Sequence, residues 1–473
     1  MLHTLPPTVH QTISLYLDQA SRLNLLYMNR YMHSVWLPEV WQNHVFRFSE
    51  PELYKKYDQY CRHMLYDINH TISLTRVPRK ILPVRNLLSL TFGSHFNFTL
   101  KPGMLPEGLT TLILSYTFDK KIGLHVLPSN LQILEFGSYY DRTIEPGVLP
   151  PNLRVLKFGS FYNQILKPHV LPSNLHTLIF GRCYNRPIQH NVLPSGLRVL
   201  QFGDLYNRPI MPGVLPIGLQ SLKFGKNFDQ KIDSDIWQTS LSEYEYLANR
   251  GPIKVLPSSL RSLEFGDHFS QVIEQNILPR SLRVLIFGKT YNLRIGLGVL
   301  PRKLASLKFG AEYDRKLDPG TLPDGLRYLK FGYNYNQIIE SGVLPNKLKH
   351  LRFGYHYNQK LKPGVLPPVL RHLKFGIMFR QKIKKGVLPA WLQTLEFGKF
   401  YQHKIKKGVL PIGLKSITLS ADYKHIHRIR ATFSGEIRLH DQPIDQLTNE
   451  PRIDKPDKTI QMLFAYKLAT WKM

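Results

Sequence analysis

From Ile81 onward one pattern of apolar and polar positions recurs along the chain; LPSNLQILEFGSYYDRTIEPGV, at Leu127–Val148, is a representative unit. Leu-Pro opens each unit, with prolines at 83, 106, 128, 150, 172, 194 and 216, then at 257, 279, 301, 323, 345, 367, 389 and 411. The first interval is 23 and the one from Pro216 to Pro257 is 41; every other interval is 22 residues. So constant a period predicts a solenoid, in which each unit buries its apolar positions only by stacking on its neighbours.

With the proline as position 1, positions 4, 7 and 9 are apolar, as in Leu131, Leu134 and Phe136. The first unit carries one extra residue, which shifts its register by one. Leu-x-Phe predicts a short strand with Leu and Phe facing inward and positions 6 and 8 facing out. Stacked units then make a parallel sheet. Glycine follows at position 10 except at Ser115 and Ser420, which predicts a sharp exit from the strand. Position 13 is Phe or Tyr from Phe96 to Tyr401, and position 14 is mostly Asn or Asp. An Asn there predicts a side-chain ladder that satisfies backbone groups left unpaired by a tight coil. The ladder is expected to weaken at Ser270, Arg380 and Gln402. Gly or Asn at position 20 predicts a positive φ, and so much Gly and Pro excludes a full helix behind each strand.

The fold predicted is therefore mainly β, an elongated parallel-strand solenoid with a small N-terminal helical domain. Residues 1–48 form that helical domain, 49–80 a linker or N-terminal cap, 81–420 the solenoid, and 421–473 a C-terminal cap and tail. The solenoid has one insertion, 233–254, which carries Asp233, Asp235, Glu243 and Glu245. It reads either as a tolerated surface loop or as an acidic clamp against the basic sheet.

Composition changes the picture by its charge. Sixty-three Lys and Arg against 33 acids give +30, which predicts association with nucleic acid, anionic lipid or an acidic protein face. Position 8 concentrates that charge. Lys308, Lys330, Arg352 and Lys374 fall on four consecutive coils, flanked at position 6 by Tyr328, His350 and His372. Either this is a solvated face, or these residues bind an acidic segment of a partner. Two cysteines, Cys61 and Cys183, form no disulfide framework and fit a reducing compartment. The opening MLHTLPPTVHQ lacks the apolar core of a secretory signal, and no apolar run is long enough to span a membrane. These features predict a soluble, cytoplasmic protein with no membrane partner.

Chemistry is not legible. Gly288-Lys289-Thr290 resembles the end of a phosphate loop, but Arg283 stands where that motif needs its first glycine. His425-x-His427 has no third ligand nearby in sequence. No catalytic residue, metal or cofactor is expected.

Two resemblances extend the reading. The Phe-Asn-x-x-Ile run, varied as YNRPI at Tyr184–Ile188 and FDQKI at Phe228–Ile232, resembles the FNIP repeat, a relative of leucine-rich repeats. It implies a leucine-rich-repeat-like solenoid. The N-terminal LPPTVHQTISLYLDQASRLNLLYMNRYMHSVW resembles an F-box, with Thr8, Asn29 and Met32 departing from the usual acid, Cys and Trp. In proteins that combine the two, known from protists and large DNA viruses, the F-box docks on the Skp-type adaptor of a cullin-RING ubiquitin ligase while the repeats present a target. The resemblance implies that Leu5, Pro6, Ile13, Leu17 and Leu23 face the adaptor, in host cytoplasm if the source is viral. Read from the residues alone, the N-terminal helices only cap the array. Three functions follow: a target-recruiting ligase subunit, an interaction scaffold with no ligase link, or a basic solenoid that binds nucleic acid.

Overall fold

The computed structural model describes residues 45–48, 63–66, 87–233 and 254–440. The F-box-like segment, most of the acidic insertion and the residues after His440 lie outside that description. Strands β1 (Val45–Phe48), β2 (His63–Tyr66) and β3 (Ser89–Phe92) are followed by one three-residue strand per coil, from β4 (Thr111–Ile113) to β16 (Thr394–Glu396). β17 (Ser416–Ser420), the short helix α1 (Ile426–Thr432) and β18 (Glu436–His440) follow. Each strand pairs in parallel with the strands before and after it in the chain, making one 18-stranded sheet. The expected parallel β-solenoid of about fifteen 22-residue turns is what forms. The sheet also starts earlier than the Leu-Pro frame, since β1 and β2 already pair with each other and β2 with β3.

The register follows the sequence period residue for residue. Leu307 pairs with Leu329 and Leu329 with Leu351, so the position-7 leucines form a column at 0–2 % exposure. Positions 4, 9, 13, 17, 21 and 22 join it in a single core. Within a coil the rings at positions 9 and 13 stack, Phe331 on Tyr335 at 3.9 Å between centroids. Between coils the position-13 rings run parallel, Tyr335 to Tyr357 at 6.1 Å and 8°. That offset geometry is the one aromatic quadrupoles favour.

The column has an unusual polar side. The hydroxyls of Tyr140, Tyr162, Tyr184, Tyr206, Tyr313, Tyr335 and Tyr357 are buried without a hydrogen-bond partner. Burial pushes these phenols well above the ordinary tyrosine value. Phe118, Phe228, Phe269 and Phe379 fill the same repeat position, so packing needs the ring and not the hydroxyl.

The position-10 glycines owe their identity to contact between coils. None of them has a positive φ. A Cβ built on Gly332 would collide with the carbonyl oxygen of Gly310, and one on Gly354 with that of Gly332. The sharp exit expected from the sequence is thus the lesser reason; the backbones of successive coils touch here. Position 20 does take a positive φ, at Gly364 (φ 81°) and Asn191 (62°), and also at His125 (59°) and His169 (65°).

The position-14 ladder forms. Asn163 N–H donates to Asp141 at 2.9 Å, Asn336 N–H to Asp314 at 2.9 Å, and Asn358 N–H to Asn336 at 2.9 Å. The Ser270 and Arg380 amides donate to the Asp229 and Asn358 side chains, but neither Ser270 nor Arg380 offers its own side chain to the amide of the next coil. Gln402 is a correction to the expected weak points. Its longer side chain still reaches the Lys424 N–H, at 3.1 Å. A second ladder runs beside the first, because position 15 is Gln or Arg in most coils. Gln359 Nε2 donates to the Asn336 carbonyl at 2.9 Å, and Arg315 Nε to that of Asn292 at 2.9 Å.

Candidate partner-binding face

The outer face of the sheet is built from positions 6 and 8, because the inward position 7 lies between them. In β12 (Ser306–Lys308), β13 (Tyr328–Lys330), β14 (His350–Arg352) and β15 (His372–Lys374) the central leucine is buried and its neighbours are half-buried. Lys308 pairs in register with Lys330, Lys330 with Arg352, and Arg352 with Lys374. The sequence-derived cation row is therefore one continuous ladder, at the roughly 4.8 Å spacing of adjacent strands.

Tyr328, His350 and His372 are brought together beside it. The two imidazoles stack at 4.3 Å and 8°, and Tyr328 lies 6.1 Å from His350 at 37°. Lys308 Nζ sits 5.9 Å from the centre of the Tyr328 ring, within cation–π range. His372 Nδ1 meets Thr394 Oγ1 at 2.8 Å. Burial, then the charge of Arg371, holds the His372 imidazole below the ordinary histidine value. The ladder ends where Lys374 meets Glu396 at 2.7 Å. Toward the N-terminal end of this face position 8 is neutral or paired with the opposite charge, as in Glu135–Lys157 at 3.0 Å and Lys223–Glu264 at 2.8 Å.

A third row escaped the sequence reading. Arg327, Lys349 and Arg371 occupy position 5, immediately before the strand. The Arg371 and His372 amides both donate to the Lys349 carbonyl, at 2.9 and 3.0 Å. That shared acceptor breaks the strict alternation, so position 5 stands at the surface beside position 6; Arg327 and Arg371 are exposed. Each of three consecutive coils thus flanks an aromatic or imidazole ring with cations: Arg327-Tyr328-x-Lys330, Lys349-His350-x-Arg352 and Arg371-His372-x-Lys374. The signal was in the sequence, as Arg or Lys at one fixed offset.

A groove of about 440 Å³ lies nearer the N-terminal end, lined by Asn130, Asn152, Asn174, Gln132, Arg154 and His176 among others. Its asparagines already bond carbonyls of the preceding coil, at 3.2, 3.0 and 3.0 Å. In the Gly288-Lys289-Thr290 segment, Thr290 Oγ1 donates to the Asp267 carbonyl at 2.8 Å, so it serves the coil. Among the described residues no group of three or more His, Cys, Asp or Glu is placed to hold a metal, and no helix is long and apolar enough to cross a membrane. The five residues expected at the adaptor, Leu5, Pro6, Ile13, Leu17 and Leu23, lie outside the described residues.

Coil geometry, leucine column and extended charged face define a leucine-rich-repeat-like β-solenoid, an architecture suited to protein–protein interaction. The chain belongs to the FNIP repeat family. Its matches run almost continuously over 79–117, 118–161, 162–205, 206–236, 250–290, 269–312, 291–333, 313–356 and 357–400. Among solved structures it resembles that of CroV588, described as a novel circular LRR protein, at 33 % identity and a TM-score of 0.51. The match covers 76 % of this chain and 59 % of that one, so the chain spans less than two thirds of its relative. An LRR protein of Leptospira interrogans also aligns, at 16 % identity and a TM-score of 0.40, over 83 % of this chain and 100 % of the other. No curated protein matches the chain.

Proposed function

We propose that the chain is the target-recruiting subunit of a cullin-RING ubiquitin ligase: its β12–β15 face holds an acidic segment of a target protein while its N-terminal residues dock on a Skp-type adaptor. The observation that carries the capture half is the in-register ladder Lys308–Lys330–Arg352–Lys374 with the Tyr328, His350 and His372 rings beside it. Four cations in register at strand spacing make a continuous positive row that an acidic strand-like segment can follow residue by residue. An acidic protein segment is favoured over nucleic acid because the repeated aromatics of position 13 are buried and offer no platform for bases. The adaptor half rests on the F-box resemblance of residues 1–48, with Leu5, Pro6, Ile13, Leu17 and Leu23 as the residues facing the adaptor.

The two halves are tested separately on the full chain. Changing Leu5 and Pro6 to Ala should abolish pull-down of a Skp-type adaptor while the circular dichroism of the sheet stays unchanged. An intact protein with no affinity for any such adaptor removes the ligase link and leaves an interaction scaffold. Reversing Lys330 and Arg352 to Glu should weaken binding of a Glu- and Asp-rich peptide and flatten its salt dependence, with thermal stability unchanged or raised. Unaltered affinity at low salt would reduce the ladder to a charged surface. Preferential capture of single-stranded RNA by the wild-type face would put nucleic acid in the place of the protein target.

A further inference from the structure

A different side of the coil changes character at the C-terminal end of the array. In two earlier coils position 16 of one unit forms an ion pair with position 18 of the next. Arg294 meets Asp318 at 2.6 Å and Lys316 meets Glu340 at 3.0 Å. Beyond Glu340 the residue at position 18 switches sign, to Lys362, Lys384 and Lys406. Position 16, Ile338 in the unit before, is basic again at Lys360, Lys382 and Lys404. The geometry that joins Arg294 to Asp318 therefore brings Lys360 beside Lys384 and Lys382 beside Lys406. Lys385 and Lys407, at position 19, extend the patch. All eight are exposed, and none pairs with a carboxylate among the described residues.

The corner that follows each set of lysines, where the units at Pro367, Pro389 and Pro411 open, also differs from the rest of the array. Positions 2 and 3 are mostly polar or glycine earlier in the array, as at Asn130, Asn152 and Asn174. Here they present Val369, Trp391 and Ile412, which are 38 %, 72 % and 107 % exposed. Between the two corners runs one short side of the coil. At the middle one of the three corners it is Gly386-Val387-Leu388-Pro389, which joins two units and whose Val387 and Leu388 side chains point into the core at 2 % and 7 % exposure. Lys385 and Trp391 are six residues apart, so at most about 20 Å separates the lysine ridge from the apolar ridge.

We infer that this side of the last three coils is a docking surface for an anionic lipid bilayer, with the lysines on the headgroups and Trp391 and Ile412 entering the interface. The patch is a plane of lysines at strand spacing, suited to a diffuse sheet of negative charge. Exposed Trp and Ile beside lysine are the residues that a headgroup–acyl boundary accommodates and a phosphodiester backbone has no use for. This goes beyond target capture on the β12–β15 face and revises the sequence expectation of no membrane partner. Attachment here is peripheral.

The experiment is flotation of the full chain with phosphatidylserine–phosphatidylcholine vesicles against phosphatidylcholine alone, read with tryptophan emission. The expected result is salt-sensitive binding to the anionic vesicles only, with a blue shift of emission that Trp391→Phe removes; the other four tryptophans of the five remain as an internal reference. Each lysine near an anionic surface is worth roughly fivefold in affinity. A Lys384→Glu, Lys385→Glu, Lys406→Glu, Lys407→Glu variant with unchanged thermal stability should therefore lose at least about a hundredfold. Lys330→Glu, Arg352→Glu should bind vesicles with no comparable loss, which separates this surface from the sheet face. No affinity for anionic vesicles, or affinity that the four reversals leave intact, overturns the inference. So does tighter binding of duplex RNA through the same lysines with no blue shift, which would make the patch a phosphate-backbone site.

Discussion

The imidazoles of His350 and His372 lie face to face, 4.3 Å between centroids and 8° from parallel. His372 titrates below the ordinary histidine value, through burial first and then the charge of Arg371. In the window below about pH 6.5 the unfolded chain binds the proton that the folded chain refuses, so stability falls as pH falls. Thermal midpoints measured from pH 7.5 down to 5.5 should drop more for wild type than for His372→Gln. Equal slopes would show that His372 does not contribute.

The tyrosine column makes the opposite prediction at high pH. Its phenols titrate above the ordinary value of about 10 because burial resists the phenolate. Above that pH the unfolded chain releases protons that the folded chain keeps, so stability is intact below about pH 10 and is lost as pH rises. Tyrosinate absorbance and loss of sheet signal should then rise together in one steep alkaline transition. Most of the tyrosinate signal appearing before unfolding would contradict burial of the column.

Tyr335→Phe removes a buried hydroxyl that has no partner and keeps the ring stacked on Phe331. An unsatisfied buried donor is a cost that its removal relieves. Chemical denaturation should give a variant of equal stability or one stabilised by about 1 kcal/mol. A loss of more than about 1 kcal/mol would mean that the hydroxyl is bonded in solution.

Ladder repair is a second route to stabilisation. Ser270 passes no side-chain acceptor to the next coil, where Asn292 begins the ladder again. Ser270→Asn should supply one for the Asn292 amide and raise stability by about 0.5–1.5 kcal/mol. Protection of the Asn292 amide in hydrogen exchange should rise with it.

Two glycines of the same coil region should respond differently to alanine. At Gly332 the added methyl meets the Gly310 carbonyl, so two backbones must separate, and the loss should exceed about 3 kcal/mol. At Gly364 nothing lies within 4 Å of an added Cβ and only the φ of 81° resists, a cost of about 1–2 kcal/mol. Denaturation of the two variants side by side gives the ranking, and a reversed order would refute the contact between coils.

These cases mark where sequence and structure part. Period, strand register, leucine column and the Asn ladder were legible because each depends on what a residue carries at a fixed offset. The Gly332 contact was not, because a missing Cβ does not name the atom that fills its place. The position-15 ladder was hidden because Gln and Arg, unlike in shape, do one hydrogen-bonding task. Val45–Phe48 and His63–Tyr66 pair in the sheet with no Leu-Pro frame to announce them. On the candidate face the Lys308–Lys374 row and its rings are neighbours, as the repeat register implies. Arg327, Lys349 and Arg371 were missed because strict alternation places position 5 inside, and the shared Lys349 carbonyl undoes that alternation.

The interval from Pro216 to Pro257 has one last consequence. Across it Ser221 still pairs with Ser262, Leu222 with Leu263, and Asp229 still accepts from the Ser270 amide, 41 residues on. The array thus treats extra length at the corner after position 18 as invisible, whereas one residue added inside a strand would turn the leucine column to solvent. That corner is a graft site: foreign sequence spliced there changes what the molecule displays without altering the scaffold that displays it.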